Sequence, residues 1–135
     1  MNLKNISLED FLNQDPNSED SDVLAIIDDV LIGFEHEVGS PIRELDDEYE
    51  LRNLGADKSG NIALMSNGVL VGIYSEAYLG ISSTHTNKQL GIPMILEAVK
   101  NRPPPGPRIL SKRGKRVMTK AWEVARGERR DPWPE

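Results

Sequence analysis

Two side chains that can accept a proton lie near the middle of the chain, on either side of a short apolar segment. Glu76 precedes residues 77–82, and His85 follows them within the polar run SSTHT at residues 82–86. A carboxylate or an imidazole acts as a general base when it lies within hydrogen-bond reach of the proton that it removes. Glu76 and His85 are therefore the candidate catalytic residues, while the alternative is that His85 is an ordinary exposed loop residue.

A glycine turn that leads into a helix follows this polar run. Lys88 and Gly91 lie in the turn. Apolar residues with the i, i+3, i+4, i+7 spacing of one helix face come next: Ile92, Ile95, Leu96 and Val99. The first N–H groups of a helix have no partner within it, so such a turn can bind an anion. Pro93 favours the start of a helix but lacks an N–H, so one donor of that site is missing.

Two strands joined by a tight turn are expected to position these residues. Residues 62–66 and 69–75 are apolar runs on either side of Asn67-Gly68. Asn and Gly both tolerate positive φ, so an Asn-Gly pair between two apolar runs predicts an antiparallel hairpin. Residues 77–82 then form the last strand before the glycine turn.

Three further helices and two short strands, one of them over residues 108–110, complete the predicted elements. The helices are expected over residues 8–12, 23–31 and 112–126. Ser7 and Ser111 stand where a side-chain oxygen can accept a hydrogen bond from the first turn of a helix. Alternation of polar and apolar residues over 34–38 predicts a short strand, which Gly39-Ser40-Pro41 is expected to end.

The spacing of Lys88, Gly91 and Pro93 matches a known pattern of Arg or Gln, two residues, Gly, one residue, and Gly or Ala at a helix start. Farther along, a second run of residues adds to the likeness: Leu110, Ser111, Gly114 and Trp122. On these residues the segment 60–125 resembles the acetyl-coenzyme A binding core of the GNAT acyltransferase superfamily, and in particular small GNAT-like proteins of bacteria and phages. One of the three positions of the pattern, Gly91, is kept unchanged.

The resemblance implies an α/β fold with a central, mostly antiparallel sheet and flanking helices. It implies acetyl-coenzyme A as cofactor and no metal, with the pyrophosphate on the turn residues Lys88, Gly91 and Ile92. It also implies that the pantetheine arm meets the backbone of Leu79, Ile81 and Ser83. The implied reaction moves an acetyl group to an amine, with Glu76 or His85 removing the proton of that amine.

Two departures from the family pattern point to an alternative. Pro93 removes one amide of the turn. In GNAT enzymes a later tyrosine often protonates the leaving thiolate, whereas no tyrosine follows Tyr78 here. The alternative is a reduced, non-catalytic GNAT-like protein that acts by protein–protein binding, in an inhibitor, immunity or effector role.

The charge distribution supports that alternative. Residues 1–60 carry 16 acidic and 4 basic side chains, whereas residues 101–135 carry 4 acidic and 10 basic ones. The two ends could attract each other in one fold, or the acidic half could occupy a basic site on a nuclease or toxin. A third interpretation, nucleic-acid binding, rests on the cluster Lys112, Arg113, Lys115 and Arg116 but conflicts with the net charge of −6.

The length of 135 residues corresponds to one domain. We expect a short helix and polar link over residues 1–22, the α/β domain over 23–126 and a flexible tail over 127–135. The sequence has no cysteine and no apolar run of membrane-spanning length, so a cytoplasmic protein is expected. The acidic residues at 44–50 lack the spacing of a calcium loop and predict a solvated surface.

Overall fold

A computed structural model describes residues 3–17, 27–75, 78–101, 106–108 and 110–135. In chain order the helices are α1 (Leu8–Leu12), α2 (Ile27–Phe34), α3 (Gly91–Asn101) and α4 (Lys112–Ala125). The strands are β1 (Val38–Glu44), β2 (Tyr49–Leu54), β3 (Ile62–Ser66), β4 (Val69–Ser75) and β5 (Tyr78–Ile81). Short 3₁₀ turns cover Leu3–Asn5, Glu35–Glu37 and Ser83–His85.

The five strands form one sheet in which each strand pairs with the next along the chain. The order is β1-β2-β3-β4-β5, and every pairing is antiparallel. The prediction of an antiparallel sheet with flanking helices is therefore confirmed. Because the chain meanders, β1 and β5 form the two edges of the sheet.

The Asn-Gly hairpin in the centre of the sheet follows from its turn residues. Asn67 and Gly68 have φ angles of 49° and 82°, which is the left-handed conformation that the sequence predicted. One register shift occurs beyond the turn, since Leu64 lies opposite Gly72 but Met65 lies opposite Leu70. This bulge leaves one extra residue, Val71, in β4 and increases the local twist of the strand pair.

The two faces of the sheet bury two separate apolar clusters. On one face α3 packs on β3 and β4, and α4 packs on α3 and α1. That larger core includes Phe11, Leu51, Leu64, Ile92, Met94 and Ile95. On the other face α2 packs on β4, over a smaller core of Leu31, Leu54, Ala63, Leu70 and Ile73.

The predicted strand over residues 34–38 is wrong. Phe34 ends α2, Glu35–Glu37 form a 3₁₀ turn, and β1 begins only at Val38. The alternation of polar and apolar residues was too short to distinguish a strand from a single helical turn. Pro41, expected to end an element, lies inside β1, because an edge strand has one side on which no N–H is needed.

Both predicted serine caps are confirmed. Ser7 accepts a hydrogen bond from the N–H of Asp10 at 3.2 Å, and Ser111 accepts one from the N–H of Gly114 at 3.0 Å. Each bond satisfies an N–H that has no partner inside the helix. The first residues of the helix predicted over 23–31 lie outside the described part of the chain. The structure describes that helix from Ile27 onwards.

Candidate functional site

One end of the sheet brings most of the candidate residues together. The β1–β2 turn, the Asn-Gly turn between β3 and β4, and the segment after β5 all lie there, because neighbouring strands run in opposite directions. The register places Tyr49 opposite Ser66, and Ser66 in turn opposite Val69. We call this the hairpin end of the sheet and define it as residues 44–50, 66–69 and 82–88.

His85 is held at the hairpin end by Tyr49. The Tyr49 hydroxyl lies 2.7 Å from His85 Nδ1, and the two rings meet edge to face with centroids 5.6 Å apart. Tyr49 is only 3 % exposed, so its position is fixed by the core. The imidazole of His85 is half-buried, and Nε2 is the ring nitrogen left to exchange a proton. The other candidate base, Glu76, lies outside the described residues.

Lys88 and the end of the chain cover the same tyrosine. Lys88 Nζ lies 5.7 Å from the centroid of the Tyr49 ring. The Trp133 ring meets Tyr49 edge to face at 6.1 Å, and Trp133 Nε1 donates to the carbonyl oxygen of Lys88 at 3.1 Å. No local sequence pattern places Tyr49 here, whereas a tryptophan between two prolines in a polar tail is a signal that could have identified Trp133.

The start of α3 is packed against its neighbours. Gly91, Ile92 and Pro93 are all buried. A Cβ atom added at Gly91 would lie 2.8 Å from Cγ1 of Val117 and 3.0 Å from Cδ2 of Leu79. The glycine therefore allows α4 and β5 to approach α3 closely, and an anion at this turn would have to displace their side chains.

The backbone of β5 offers unpaired groups at the edge of the sheet. Ser82 donates its N–H to the carbonyl oxygen of Val71 in β4 at 2.8 Å. In an antiparallel ladder alternate residues bond the same neighbour, so Gly80 also directs its N–H and C=O towards β4. Leu79 and Ile81 then direct theirs away from β4, and β5 has no further strand beside it among the described residues.

The β1–β2 turn carries a dense group of carboxylates. An open cleft of about 200 Å³ is lined by the acidic side chains Glu44, Asp46, Asp47, Glu48 and Glu50. We call residues 44–50 the acidic loop. Its neighbours at the floor of the cleft are Met65 of β3 and the Asn67-Gly68 turn.

Hydrogen bonds fix the shape of the acidic loop. Asp46 Oδ1 accepts the N–H groups of Glu48 and Tyr49 at 2.8 and 2.7 Å. The Glu48 carboxylate accepts a hydrogen bond from Ser66 Oγ at 2.9 Å, and its carbonyl oxygen accepts the N–H of Asn67 at 3.0 Å. The backbone of the loop is therefore tied to the neighbouring hairpin, and the carboxylates of Asp46 and Glu48 are held in place.

The negative charge of the acidic loop is largely uncompensated. Glu50 pairs with Arg52 at 3.0 Å, and Glu44, Asp46, Asp47 and Glu48 form no ion pair with any described residue. The ion pairs seen between described residues join neighbours in sequence or lie within the last third of the chain. The two ends of the chain are joined by other contacts, since Arg108 and Arg126 of the basic last third donate hydrogen bonds to backbone carbonyl groups of residues 4–12.

Comparison with known proteins adds no relative: no family model, no curated protein and no solved structure matches the chain. Within the described ranges, no helix is long and apolar enough to cross a membrane. Nor do three histidine, aspartate or glutamate side chains of these ranges converge in an arrangement that could hold a metal ion. The function must therefore be inferred from the hairpin end itself.

Proposed function

We propose that the protein binds a basic protein partner through the acidic loop and acts as an inhibitor or immunity-type protein. The observation that carries this proposal is the row of carboxylates at residues 44–50, four of which have no ion-pair partner among the described residues. Like charges that line one cleft repel one another, and a partner that supplies lysine or arginine side chains relieves that repulsion.

The fixed shape of the loop favours binding of a specific partner. Because Asp46 and Glu48 are tied into the turn by hydrogen bonds, little conformational freedom remains to be lost when a partner binds. The exposed side chains of Glu44 and Asp47 are the ones most free to meet lysine or arginine. A basic site that normally binds nucleic acid, such as that of a nuclease, presents such side chains on its surface.

Two matched double variants test the role of the loop. Glu44→Gln/Asp47→Asn removes two exposed charges from the acidic loop, whereas Glu35→Gln/Glu37→Gln removes two exposed charges from the opposite end of the sheet. Binding to a panel of purified small basic nucleases is measured at low and at high salt, together with inhibition of their activity.

We expect the loop variant to weaken binding about 5- to 30-fold, since each exposed carboxylate contributes about 0.5–1 kcal/mol to a charged interface. The control variant should change the dissociation constant little, and the effect of the loop variant should shrink at high salt. Equal losses in both variants would show that net charge alone attracts the partner. Absence of any binding to the panel would remove the proposal.

A second candidate function, N-acyl transfer from acetyl-coenzyme A, is favoured by one observation. The outward N–H and C=O groups of Leu79 and Ile81 could bind the amides of a pantetheine arm, in agreement with the GNAT resemblance. Ser83 and Lys88 follow on the exposed surface beyond β5, and His85, held by Tyr49, could accept the proton of an amine. The packed start of α3 weighs against this candidate.

Thermal unfolding with and without acetyl-coenzyme A tests the second candidate. A ligand present at 100 times its dissociation constant adds about 2.7 kcal/mol to the free energy of unfolding, which raises Tm measurably. The matched variant is Lys88→Glu, because Lys88 is exposed whereas a side chain at Gly91 would collide with Val117. No shift of Tm in the wild-type protein would exclude acyl transfer and leave the binding proposal untouched.

A further inference from the structure

The two edges of the sheet differ in how they are protected from pairing with another chain. β1 contains Pro41, and its pairing with β2 has two register shifts. Proline and bulges are features that prevent an edge strand from accepting a new strand. β5 has neither, since residues 78–81 read YLGI without a proline or a charge, and its pairing with β4 has no register shift.

We propose that β5 pairs antiparallel with β5 of a second copy of the chain, about a two-fold axis at Gly80. In this register Leu79 of one copy lies opposite Ile81 of the other. Both residues direct their N–H and C=O groups to the outer edge, so the two copies exchange four hydrogen bonds. The two five-stranded sheets then form one continuous sheet of ten strands.

The side chains of β5 are compatible with that axis. Gly80 of one copy lies opposite Gly80 of the other in a non-hydrogen-bonded pair, in which the two Cα atoms are closer than in a hydrogen-bonded pair. The absence of a side chain allows this close approach. Leu79 and Ile81 place an apolar side chain opposite an apolar one, on the face of the sheet that carries the larger core. Tyr78, which is 38 % exposed, lies opposite Ser82 of the second copy.

The charge distribution also suits this assembly. The acidic loop joins β1 to β2, three strand spacings away from β5. At about 4.8 Å per spacing, seven spacings separate the two acidic loops of the dimer by about 34 Å across the strands, several times the Debye length of about 8 Å in physiological salt. Their repulsion is therefore screened, and both loops remain open to partners. The dimer does not depend on the proposed function of those loops.

Charged substitutions at positions 78 and 82 provide a direct test, because position 78 of one copy faces position 82 of the other. Tyr78→Lys/Ser82→Lys places lysine opposite lysine at both ends of the new ladder, whereas Tyr78→Glu/Ser82→Lys places glutamate opposite lysine. Tyr78→Lys alone, which meets an unchanged serine, is the control. The Ser82 side chain makes no capping hydrogen bond in the following 3₁₀ turn, so its replacement removes no such bond.

The molar mass in solution is measured by light scattering and by sedimentation, with circular dichroism confirming that each variant is folded. We expect the wild-type protein and the control to have twice the chain mass of 15.1 kDa. The Lys/Lys variant should have the mass of one chain, and the Glu/Lys variant should regain the dimer. A monomeric wild type would overturn the proposal, as would a dimer that the Lys/Lys variant leaves intact.

Discussion

At the scale of single residues, the least conventional environment is that of Arg108 and Tyr74 in the larger core. Arg108 is 4 % exposed and donates to the carbonyl oxygens of Leu12, at 2.9 Å, and of Phe11, both at the end of α1. Its charge is thus used to satisfy carbonyl groups that have no partner within the helix. The Tyr74 hydroxyl is buried near the Arg108 guanidinium, but it has no partner with acceptable hydrogen-bond geometry among the described residues.

This environment makes Tyr74→Phe a stabilising substitution. We expect the free energy of unfolding to rise by about 1 kcal/mol at neutral pH, because phenylalanine leaves no buried polar atom without a partner. The matched control is Tyr78→Phe, whose exposed ring should change stability by less than about 0.5 kcal/mol. Urea unfolding monitored by circular dichroism measures both differences, and a loss of stability in Tyr74→Phe would contradict this account.

The same hydroxyl gives the protein a pH dependence in alkali. Burial raises the pKa of Tyr74 above its ordinary value of 10.0, although the positive charge of Arg108 acts in the opposite direction. Above pH 10 the unfolded chain loses this proton while the folded protein keeps it, so stability falls as the pH rises. The free energy of unfolding, measured below and above pH 10, should therefore fall less in Tyr74→Phe than in the wild-type protein.

The chemistry that a side chain can perform could be predicted from the sequence, but the residues that it contacts could not. His85 could be selected because an imidazole can accept a proton, and Lys88 because its spacing from Gly91 matches the GNAT pattern. Tyr49 could not, since its contact with His85 joins positions 36 residues apart. The partners of Arg108 lie 96 and 97 residues away, beyond any local pattern.

At the scale of elements, the contact between α3 and α4 depends on a single glycine. Gly91 lies in the first turn of α3, where Val117 of α4 and Leu79 of β5 both approach it. The sequence pattern predicts that this glycine lies in a turn that can bind an anion, and the geometry places it where three elements meet. Either use requires the absence of a side chain.

We therefore expect Gly91→Ala to lower the free energy of unfolding by about 1–3 kcal/mol, because the new methyl group overpacks the contact. Gly33→Ala is the control, since Gly33 lies in α2 with no atom within 4 Å of the added Cβ. That change should stabilise the protein by about 0.5–1 kcal/mol. Gly91→Ala/Val117→Ala should recover part of the loss, and a fully stable Gly91→Ala variant would show that α4 can move away.

Elements could be predicted where their signals were local and strong. The Asn67-Gly68 hairpin and the caps at Ser7 and Ser111 depend on residues within a few positions of one another, and all three are confirmed. The strand prediction for segment 34–38 is wrong because an alternation of polar and apolar residues over five positions is no longer than a single helical turn or two. The free edge of β5 was not predicted, since the strand order is a property of the whole sheet.

At the scale of the whole molecule, the two ends of the chain close the larger core. Trp122 Nε1 donates to the carbonyl oxygen of Ile6 at 2.9 Å, and Arg126 donates to that of Lys4 at 3.1 Å. Beyond α4, the segment that the sequence predicted to be a flexible tail runs back to the hairpin end. There Trp133 contacts Tyr49 and Lys88, and its carbonyl oxygen accepts a hydrogen bond from Arg43.

These contacts predict that the end of the chain contributes to stability through one aromatic ring. Trp133→Ala removes the ring that contacts Tyr49 and the hydrogen bond to the Lys88 carbonyl, so we expect the free energy of unfolding to fall by about 1.5–3 kcal/mol. Glu135→Gln removes only an exposed ion pair with Lys100 at 3.0 Å, and we expect a change below about 0.5 kcal/mol.

Urea unfolding of both variants separates packing from charge, and histidine NMR spectra of Trp133→Ala report whether the environment of His85 changes. Because Tyr49 touches both rings, loss of Trp133 should shift the His85 resonances, whereas Glu135→Gln should leave them in place. A Trp133→Ala variant as stable as the wild type, with unchanged His85 signals, would mean that the last residues do not rest on the hairpin end in solution. The acidic loop would then have to bind its partner without the end of the chain beside it.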